Sequence, residues 1–136
     1  MLPLIENKVQ KCFDAKIIVP LMFSKWILNL VPMRKKIGEI RLCVDFQSLK
    51  KVSRKDNYPL PKKDHILQKV VDSSKNCLLD AFSGYNQILV HSDDQQKKAF
   101  TTTWGTFVYV KVPFGLMNVE ATFQREMDIS FIDEKD

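Results

Sequence analysis

The sequence predicts an α+β fold in which helices pack against an antiparallel sheet. Three observations predict this class. Apolar residues recur at helical spacing in three segments, and two other segments have β-rich, alternating stretches beside a glycine, which is typical of hairpins. The 136 residues are 45% hydrophobic, which suffices for one globular unit or part of one. Mixed elements of this kind bury their apolar faces by packing helices on a sheet.

The first half of the chain is predicted to contain a helix, a hairpin and a second helix. In "LIENKVQKCFDAKII" apolar residues four positions apart share one face of a helix. The segment "GEIRLCVDF" alternates after its glycine and is predicted to be the second strand of a hairpin. Two prolines in "YPLPKKDHILQKVVDSS" hold the chain extended before a second helix. The apolar residues that set these periods are Ile5, Val9, Phe13, Ile40, Leu42, Val44, Ile66, Leu67, Val70 and Val71.

The second half is predicted to add a strand, a second hairpin and a third helix. The apolar run in "CLLDAFSGYNQILV" ends at Asp80, so a buried strand is expected before the turn-prone Ser83 and Gly84. The segment "AFTTTWGTFVYVKV" has two β-rich arms around Gly105. The segment "MNVEATFQREMDISF" predicts a helix with Asn118 as its N-cap. Its apolar stripe, expected in the core, is Val119, Phe123, Met127 and Phe131.

Positive charge is concentrated in two stretches of the sequence. The formal net charge of +5 suggests an anionic partner, and a basic surface without a partner is the alternative. Four cations in "MRKKIGEIR" converge on the tip of the first hairpin, and "KKVSRKD" follows shortly after. Two such stretches suit a long polyanion better than a small molecule, although charges also decorate solvated hairpins. The cations at the tip are Arg34, Lys35, Lys36 and Arg41.

The cysteines and the hydropathy pattern favour an intracellular protein. Cys12, Cys43 and Cys77 are widely spaced and odd in number, so they predict neither a disulfide framework nor a zinc site. No apolar run approaches the roughly 20 residues that a membrane-spanning helix needs. We therefore expect no membrane partner and no targeting segment.

Four stretches resemble the reverse transcriptase of gypsy-type long-terminal-repeat retrotransposons, in the form found in plant elements. They occur in the order and spacing of that family and together cover most of residues 17–136. The stretches are "VPMRKKIGEIRLCVDFQSLKKVSRKDNYPLPKKDHILQKV", "LLDAFSGYNQILVHSDD", "KKAFTTTWGTFVYVKVPFGLMN" and "ATFQREMD". The resemblance implies the fingers and partial palm of a right-hand polymerase, with residues 1–76 as a fingers-like segment and residues 77–136 as a partial palm.

The resemblance also implies roles for individual residues. Without it, Asp80 is more readily explained as a turn or cap residue than as a catalytic one. With it, Asp80 would be the first of three catalytic carboxylates and a magnesium ligand, and the backbone carbonyl of Ala81 would be a further ligand. Tyr85 would lie under the sugar of the incoming deoxynucleoside triphosphate and exclude a 2′-hydroxyl. The triphosphate would be held by Arg41 and by Lys35 or Lys36, because Arg and Lys bind phosphate oxygens. The residues expected at the nascent base pair and the template are Phe114, Pro113, Gly115 and Asn118.

The same resemblance implies parts that this sequence lacks. In the family, the other two catalytic acids lie in a Y-x-D-D hairpin after the last helix, and the sequence stops before one. We therefore expect an incomplete site with weak or absent Mg²⁺ binding. Asp93 and Asp94 have no tyrosine two residues before them and no apolar strand around them, and the resemblance places them in a loop. The thumb, RNase H and integrase regions of the parent polyprotein are also missing.

Two functions remain as hypotheses at this point. The first is a fragment of an RNA-directed DNA polymerase, inactive unless the missing strand is supplied, with an RNA or DNA template–primer and deoxynucleoside triphosphates as partners. The second is a basic nucleic-acid-binding remnant without catalysis. An unstable fragment without function is a third alternative, because loss of the catalytic hairpin bares a sheet edge.

Overall fold

The computed structural model describes residues 2–78 and 84–134 of the chain. Within these residues there are five α-helices and five β-strands. The helices are α1 (Leu2–Asp14), α2 (Gln47–Val52), α3 (Lys63–Val71), α4 (Ser92–Gln95) and α5 (Val119–Ser130). The strands are β1 (Ile18–Pro20), β2 (Ile27–Arg34), β3 (Ile40–Val44), β4 (Ala99–Thr102) and β5 (Gly105–Tyr109). Short 3₁₀ turns cover Gly84–Gln87, Gln96–Lys98 and Ile132–Glu134.

The strands form a single mixed sheet in the order β1-β5-β4-β2-β3. The pairs β1–β5, β4–β5 and β2–β3 are antiparallel. The pair β2–β4 is parallel, with Ile27 opposite Ala99. The predicted α+β class is confirmed, and the expectation of an antiparallel sheet is corrected at this one pairing. The cause is topological. In the sheet, β2 of the first hairpin lies beside β4 of the second hairpin, and these two strands run in the same direction.

The first hairpin agrees with its predicted alternation. Leu30 pairs with Val44 and Arg34 pairs with Ile40, so the strands are in register up to the turn. Ile40 and Val44 are buried while Arg41 is exposed. Gly38 has a φ of +84°, a left-handed conformation that glycine adopts without steric cost, and its N–H donates to the carbonyl of Lys35. The turn therefore presents its basic side chains at the end of a rigid hairpin.

The main core lies between α1, α2 and the sheet. Phe100 on the central strand β4 and Ile18 on β1 are each 1% exposed. Of the predicted helix face, Ile5 and Val9 are buried, but Phe13 is 41% exposed because it lies beyond the edge of this cluster. The buried residues of the cluster are Ile5, Val9, Ile18, Leu28, Ile40, Val44, Phe46, Leu49 and Phe100.

A second, smaller cluster lies under α5. Val90, Val112 and Val119 are its buried members, and Tyr85 and Ile88 pack against it. The side chain of Leu116 packs against both clusters, so it joins the two parts of the core.

Two helices bury fewer apolar residues than their periodic spacing predicted. Helix α3 forms where expected, but none of its residues is buried, and Val71 is 80% exposed. Its apolar face lies at the surface of the described part of the chain. In α5 the stripe is buried at Val119, partly buried at Phe123 and Met127, and exposed at Phe131, where the helix ends. The expectation that Phe131 lies in the core was wrong.

Some predicted features lie outside the description or stay untested. Of the strand expected before Asp80, Cys77 and Leu78 lie in no regular element, and residues 79–83 are outside the described residues. Helix α2 and strand β1 were not predicted, and residues 93–94, expected in a loop, belong to the single-turn helix α4. The sheet takes strands from both sides of residue 76, and the division into fingers and palm segments stays a prediction.

Candidate functional site

Arg41, Tyr85 and Phe114, which come from three separate stretches of the sequence, meet at one surface of the structure. The guanidinium carbon of Arg41 lies 5.6 Å from the centroid of the Phe114 ring, within the range of a cation–π contact. The Phe114 ring stacks on Tyr85 with centroids 6.1 Å apart and an interplanar angle of 26°. Tyr85 in turn meets Phe123 of α5 edge-on at 5.2 Å. The result is a layered arrangement of one cation and two aromatic rings, which we call the Arg41–Phe114–Tyr85 stack.

The smaller core cluster supports Tyr85 at one end of the stack, and Phe114 is largely exposed. Tyr85 is partly buried against the smaller core cluster, which fixes the lower ring. Phe114 is 67% exposed, so part of its ring is open to solvent beside Arg41. Arg41 projects from the exposed side of β3, where Met33 of β2 is its neighbour across the hairpin. An aromatic face beside a guanidinium can bind a base and a phosphate together.

The loop of residues 113–118 sets the position of Phe114. Pro113 is buried and fixes one end of the loop. Gly115 has a φ of +99°, which L side chains rarely adopt, and an added Cβ would lie 3.8 Å from the ring of Phe46. The chain therefore turns sharply directly after Phe114, and this turn leaves the Phe114 ring on the outside.

The basic hairpin tip is only partly free to bind an anion. Lys35 forms an ion pair with Glu39, with 3.2 Å between Nζ and Oε2, and both side chains are exposed. Its backbone N–H also donates to the carbonyl of Glu39 at 2.7 Å. Lys36 is exposed and makes no ion pair among the described residues. Of the two predicted lysines, Lys36 is thus the one with an uncompensated charge.

Asn118 has a structural role that the sequence did not reveal. Its Nδ2 donates to the carbonyl of Arg54 at 2.8 Å, and its Oδ1 accepts from the N–H of Asp56 at 3.0 Å. It occupies the N-cap position of α5 as predicted, but its side chain makes no capping hydrogen bond there. The amide instead ties residues 54–56 to the start of α5. The predicted template contact stays a prediction.

A polar network that sequence reasoning missed extends this connection. Arg125 of α5 forms an ion pair with Asp56 at 2.7 Å and lies over the ring of Tyr58 at 4.7 Å. The hydroxyl of Tyr58 donates to Asp128 at 2.6 Å. The Arg125 guanidinium lowers the pKa of Asp56, and the hydrogen bond to Asp128 raises the pKa of Tyr58. These partners are about seventy residues apart and follow no periodic pattern, so no sequence signal could have paired them.

The predicted metal ligands cannot be placed in this structure. Asp80 and Ala81 lie outside the described residues. Among residues 2–78 and 84–134, no group of three or more His, Cys, Asp or Glu side chains is arranged to hold a metal ion. Asp94 pairs with Lys97 at 2.8 Å, and the N–H of Asp93 donates to Nδ1 of His91 at 3.3 Å. The described residues therefore do not by themselves fit a metal centre.

Cys12, Cys43 and Cys77 are all free, and burial raises the pKa of the Cys12 thiol. In the part of the chain that the structure describes, none of the helices combines the length and the apolar character needed to cross a membrane.

Comparison with curated proteins finds retrovirus-related Pol polyproteins and an RNA-directed DNA polymerase homolog among the relatives. The retrovirus-related Pol polyprotein from transposon 297 of Drosophila melanogaster is 31% identical over 128 residues, which are 91% of this chain and 12% of that protein. An RNA-directed DNA polymerase homolog of Oenothera berteroana is 36% identical over 84 residues, 62% of this chain and 59% of that protein. The Pol polyprotein from transposon gypsy of Drosophila melanogaster is 35% identical over 88 residues, 65% of this chain and 8% of that protein. No protein-family model matches the chain.

Solved structures share the fold over nearly the whole chain. A mutant of the prototype foamy virus protease–reverse transcriptase superposes with a TM-score of 0.80 and 18% identity, covering 98% of this chain and 18% of that one. The foamy viral enzyme in complex with an RNA/DNA hybrid gives a TM-score of 0.77 and 17% identity, covering 96% of this chain and 18% of that one.

The fold is therefore that of a reverse transcriptase. The chain spans about a tenth of the transposon polyproteins that it matches. It belongs to the family of retrotransposon Pol polyproteins and RNA-directed DNA polymerase homologs, as the sequence motifs predicted. The plant origin stays a prediction.

Proposed function

We propose that this chain is the nucleotide- and template-binding part of an RNA-directed DNA polymerase and is inactive by itself. The observation that carries the proposal is the Arg41–Phe114–Tyr85 stack. Motif resemblance assigned these three residues to one nucleotide site, and their side chains are neighbours although they are far apart in sequence. The relatives, which are Pol polyproteins and a polymerase homolog, support the same function.

The geometry suggests how a deoxynucleoside triphosphate would bind. Its base would lie toward the exposed ring of Phe114, its sugar against Tyr85, and its phosphates toward Arg41 and Lys36. A ribonucleotide would place its 2′-hydroxyl against the Tyr85 ring, which the smaller core cluster supports from below. Arg41 offers a planar pair of donors for phosphate oxygens. The template strand would run past Pro113, Gly115 and Asn118.

The chemistry of the family is phosphoryl transfer from such a triphosphate to a primer 3′-hydroxyl. We propose Mg²⁺ as its metal ion and assign Asp80 and the carbonyl of Ala81 to it by family resemblance. Magnesium prefers octahedral oxygen ligation, which one carboxylate cannot supply alone. The sequence contains no Y-x-D-D motif, so we expect weak metal binding and no turnover. The contribution of the described residues is to bind and orient the nucleotide.

Primer extension tests the polymerase assignment. The purified chain is incubated with an RNA template, a DNA primer, deoxynucleotides and Mg²⁺, beside an Asp80→Asn variant. No extension is expected from either. Primer extension by the parent chain that disappears in Asp80→Asn would support the polymerase assignment and refute the proposal that the chain is inactive by itself.

Nucleotide binding tests the site itself. Affinity for a deoxynucleoside triphosphate in the presence of template–primer is expected to fall about tenfold in Phe114→Ala and in Arg41→Gln, since each loses roughly one good contact. Lys11→Gln, which removes an exposed cation from α1, is the matched control and should bind as the parent does. Equal affinities in all four proteins would refute the assignment of the site.

A second candidate is a basic nucleic-acid-binding module without nucleotide recognition. The net charge of +5 favours it, and a foamy viral relative in fold has been solved with an RNA/DNA hybrid. It predicts template–primer binding whose logarithm falls linearly with the logarithm of salt concentration, as counterions are released. Binding of template–primer with no effect of nucleotide or of Phe114→Ala would favour this module. We propose an intracellular location for either form, on the strength of the three unpaired cysteines.

A further inference from the structure

A cavity of about 730 Å³ lies between the end of α2, helix α4 and helix α5. It is separate from the Arg41–Phe114–Tyr85 stack, since none of those three residues lines it. Its walls include buried residues of both core clusters, namely Leu49 from one and Val112 from the other. The cavity therefore lies where the two halves of the core meet, and an apolar occupant would contact both.

The charged part of the lining is predominantly cationic. Four cationic side chains face two carboxylates around the cavity, and most of the other lining residues are apolar. The charged residues are Arg54, Lys97, Lys98, Arg125, Asp94 and Glu126. Two of the cations are already compensated, because Lys97 pairs with Asp94 and Arg125 pairs with Asp56.

Lys98 is the least compensated of these cations. It is 8% exposed, the one charged residue among the buried residues of the described chain. Its Nζ donates to the carbonyl of Asp94 at 3.2 Å, and no carboxylate pairs with it in the described segments. An ammonium group has three donors, so two are left without a protein acceptor there. Burial accordingly lowers the pKa of Lys98, because removal of the ammonium group from water disfavours its charged form.

Arg54 supplies a second uncompensated cation at the rim. Its backbone carbonyl is held by Asn118 at 2.8 Å, which fixes the start of the side chain relative to α5. The guanidinium is exposed and makes no ion pair among the described residues. An anionic group in the cavity would meet Lys98 from inside and Arg54 from the rim.

We propose that this cavity binds a small aromatic anion, with its ring between the two core clusters and its phosphate or similar group at Lys98 and Arg54. The volume lies within the roughly 300–1,000 Å³ of small-molecule sites, and the combination of an apolar wall with a few convergent polar groups is typical of them. The site goes beyond the proposed polymerase function and does not depend on it.

The test uses 1-naphthyl phosphate as the probe and the whole chain as the protein. The two tryptophans report the position of binding in a ¹⁵N–¹H spectrum, because Trp26 lines the cavity and Trp104 does not. The indole resonance of Trp26 is expected to shift on titration while that of Trp104 stays in place. Movement of Trp104 alone, or of neither, would overturn the proposal.

The chemistry of recognition is tested with two simpler probes and three variants. Inorganic phosphate lacks the ring, and 1-naphthalenemethanol lacks the charge, so each should bind at least tenfold more weakly than 1-naphthyl phosphate. Lys98→Met, which keeps an unbranched side chain one atom shorter and removes the charge, is expected to weaken binding of 1-naphthyl phosphate about tenfold. Lys11→Met, an exposed lysine on α1 outside the cavity, should bind within twofold of the parent.

The test does not depend on whether Lys98→Met folds. Arg54→Gln changes an exposed side chain, and it is expected to lose several-fold in affinity even if Lys98→Met fails to fold. Inorganic phosphate binding as tightly as the naphthyl ester would show a merely cationic surface and refute the site. Equal affinity in Arg54→Gln and Lys11→Met would refute the role of the cavity cations.

Discussion

Replacing Asn118 by alanine is expected to lower the free energy of unfolding by about 2 kcal/mol. The side chain donates to the carbonyl of Arg54 at 2.8 Å and accepts from the N–H of Asp56 at 3.0 Å. A hydrogen bond within a protein contributes about 1 kcal/mol net, so the loss of two gives about 2 kcal/mol and a roughly 30-fold change in the unfolding equilibrium. The amide of Asn118 thus links the start of α5 to Arg54 and Asp56, which lie 64 and 62 positions earlier in the chain.

Urea unfolding followed by circular dichroism and tryptophan fluorescence measures this change. Gln10→Ala is the matched control, because Gln10 is also an amide but makes a local, exposed hydrogen bond to Asp14 at 2.8 Å. Surface substitutions of that kind change stability by about 0.5 kcal/mol or less. The midpoint for Asn118→Ala should therefore lie clearly below the midpoint for Gln10→Ala.

Equal midpoints for the two variants would refute the reasoning. The amide of Asn118 would then not stabilise the fold, despite its geometry. If its role were confined to the template, Asn118→Ala would leave unfolding unchanged and weaken only template–primer binding. The two roles are thus separated by one pair of measurements.

Three further changes test other parts of the structure. Gly115→Ala should cost about 1–2 kcal/mol in urea unfolding, because the φ of +99° is unfavourable to alanine while its Cβ has room at 3.8 Å from Phe46; unchanged stability would contradict this. Burial raises the pKa of the Tyr109 hydroxyl above its usual value of about 10. The contribution of the protonated, buried hydroxyl to stability is therefore complete below about pH 10 and is lost as the pH rises further. Tyr109→Phe should therefore keep more of its thermal stability between pH 10 and 11 than the parent, and parallel losses would argue against a buried hydroxyl. The ion pair with Arg125 lowers the pKa of Asp56, so the pair stabilises the fold above about pH 4 and this stabilisation is lost as the pH falls further. Asp56→Asn should therefore lose less stability than the parent when the pH is lowered below about 4. An equal loss in the two proteins would count against the ion pair.

The elements with a strong local period were predictable. Helices α1, α3 and α5 and both hairpins follow from spacing and turn residues, because those signals lie within one segment. Helix α2 has only six residues, and its two lysines belong to the second basic stretch of the sequence. Strand β1 has only three residues. Elements this short carry too few positions to show a period.

Features that depend on distant parts of the chain were not predictable in this way. The parallel pairing of β2 with β4 is a choice of partner, and the exposure of the α3 face depends on what packs against it. Arg41, Tyr85 and Phe114, the residues proposed to bind the nucleotide, were assigned through family motifs and not through any period. The ion pair of Arg125 with Asp56 has no motif, so it became visible only in three dimensions.

The central position of β4 in the sheet has a consequence for synthesis on the ribosome. Strands β2 and β3 are close in sequence and can pair early, but the other edge of β2 has no partner until Thr101 has emerged to lie opposite Asn29. Contacts between distant residues form slowly, and an unpaired strand edge is open to other chains in the meantime. A nascent chain that stalls between these two strands would expose Leu28, a core residue. Chaperones that bind extended apolar segments would be most needed during that interval.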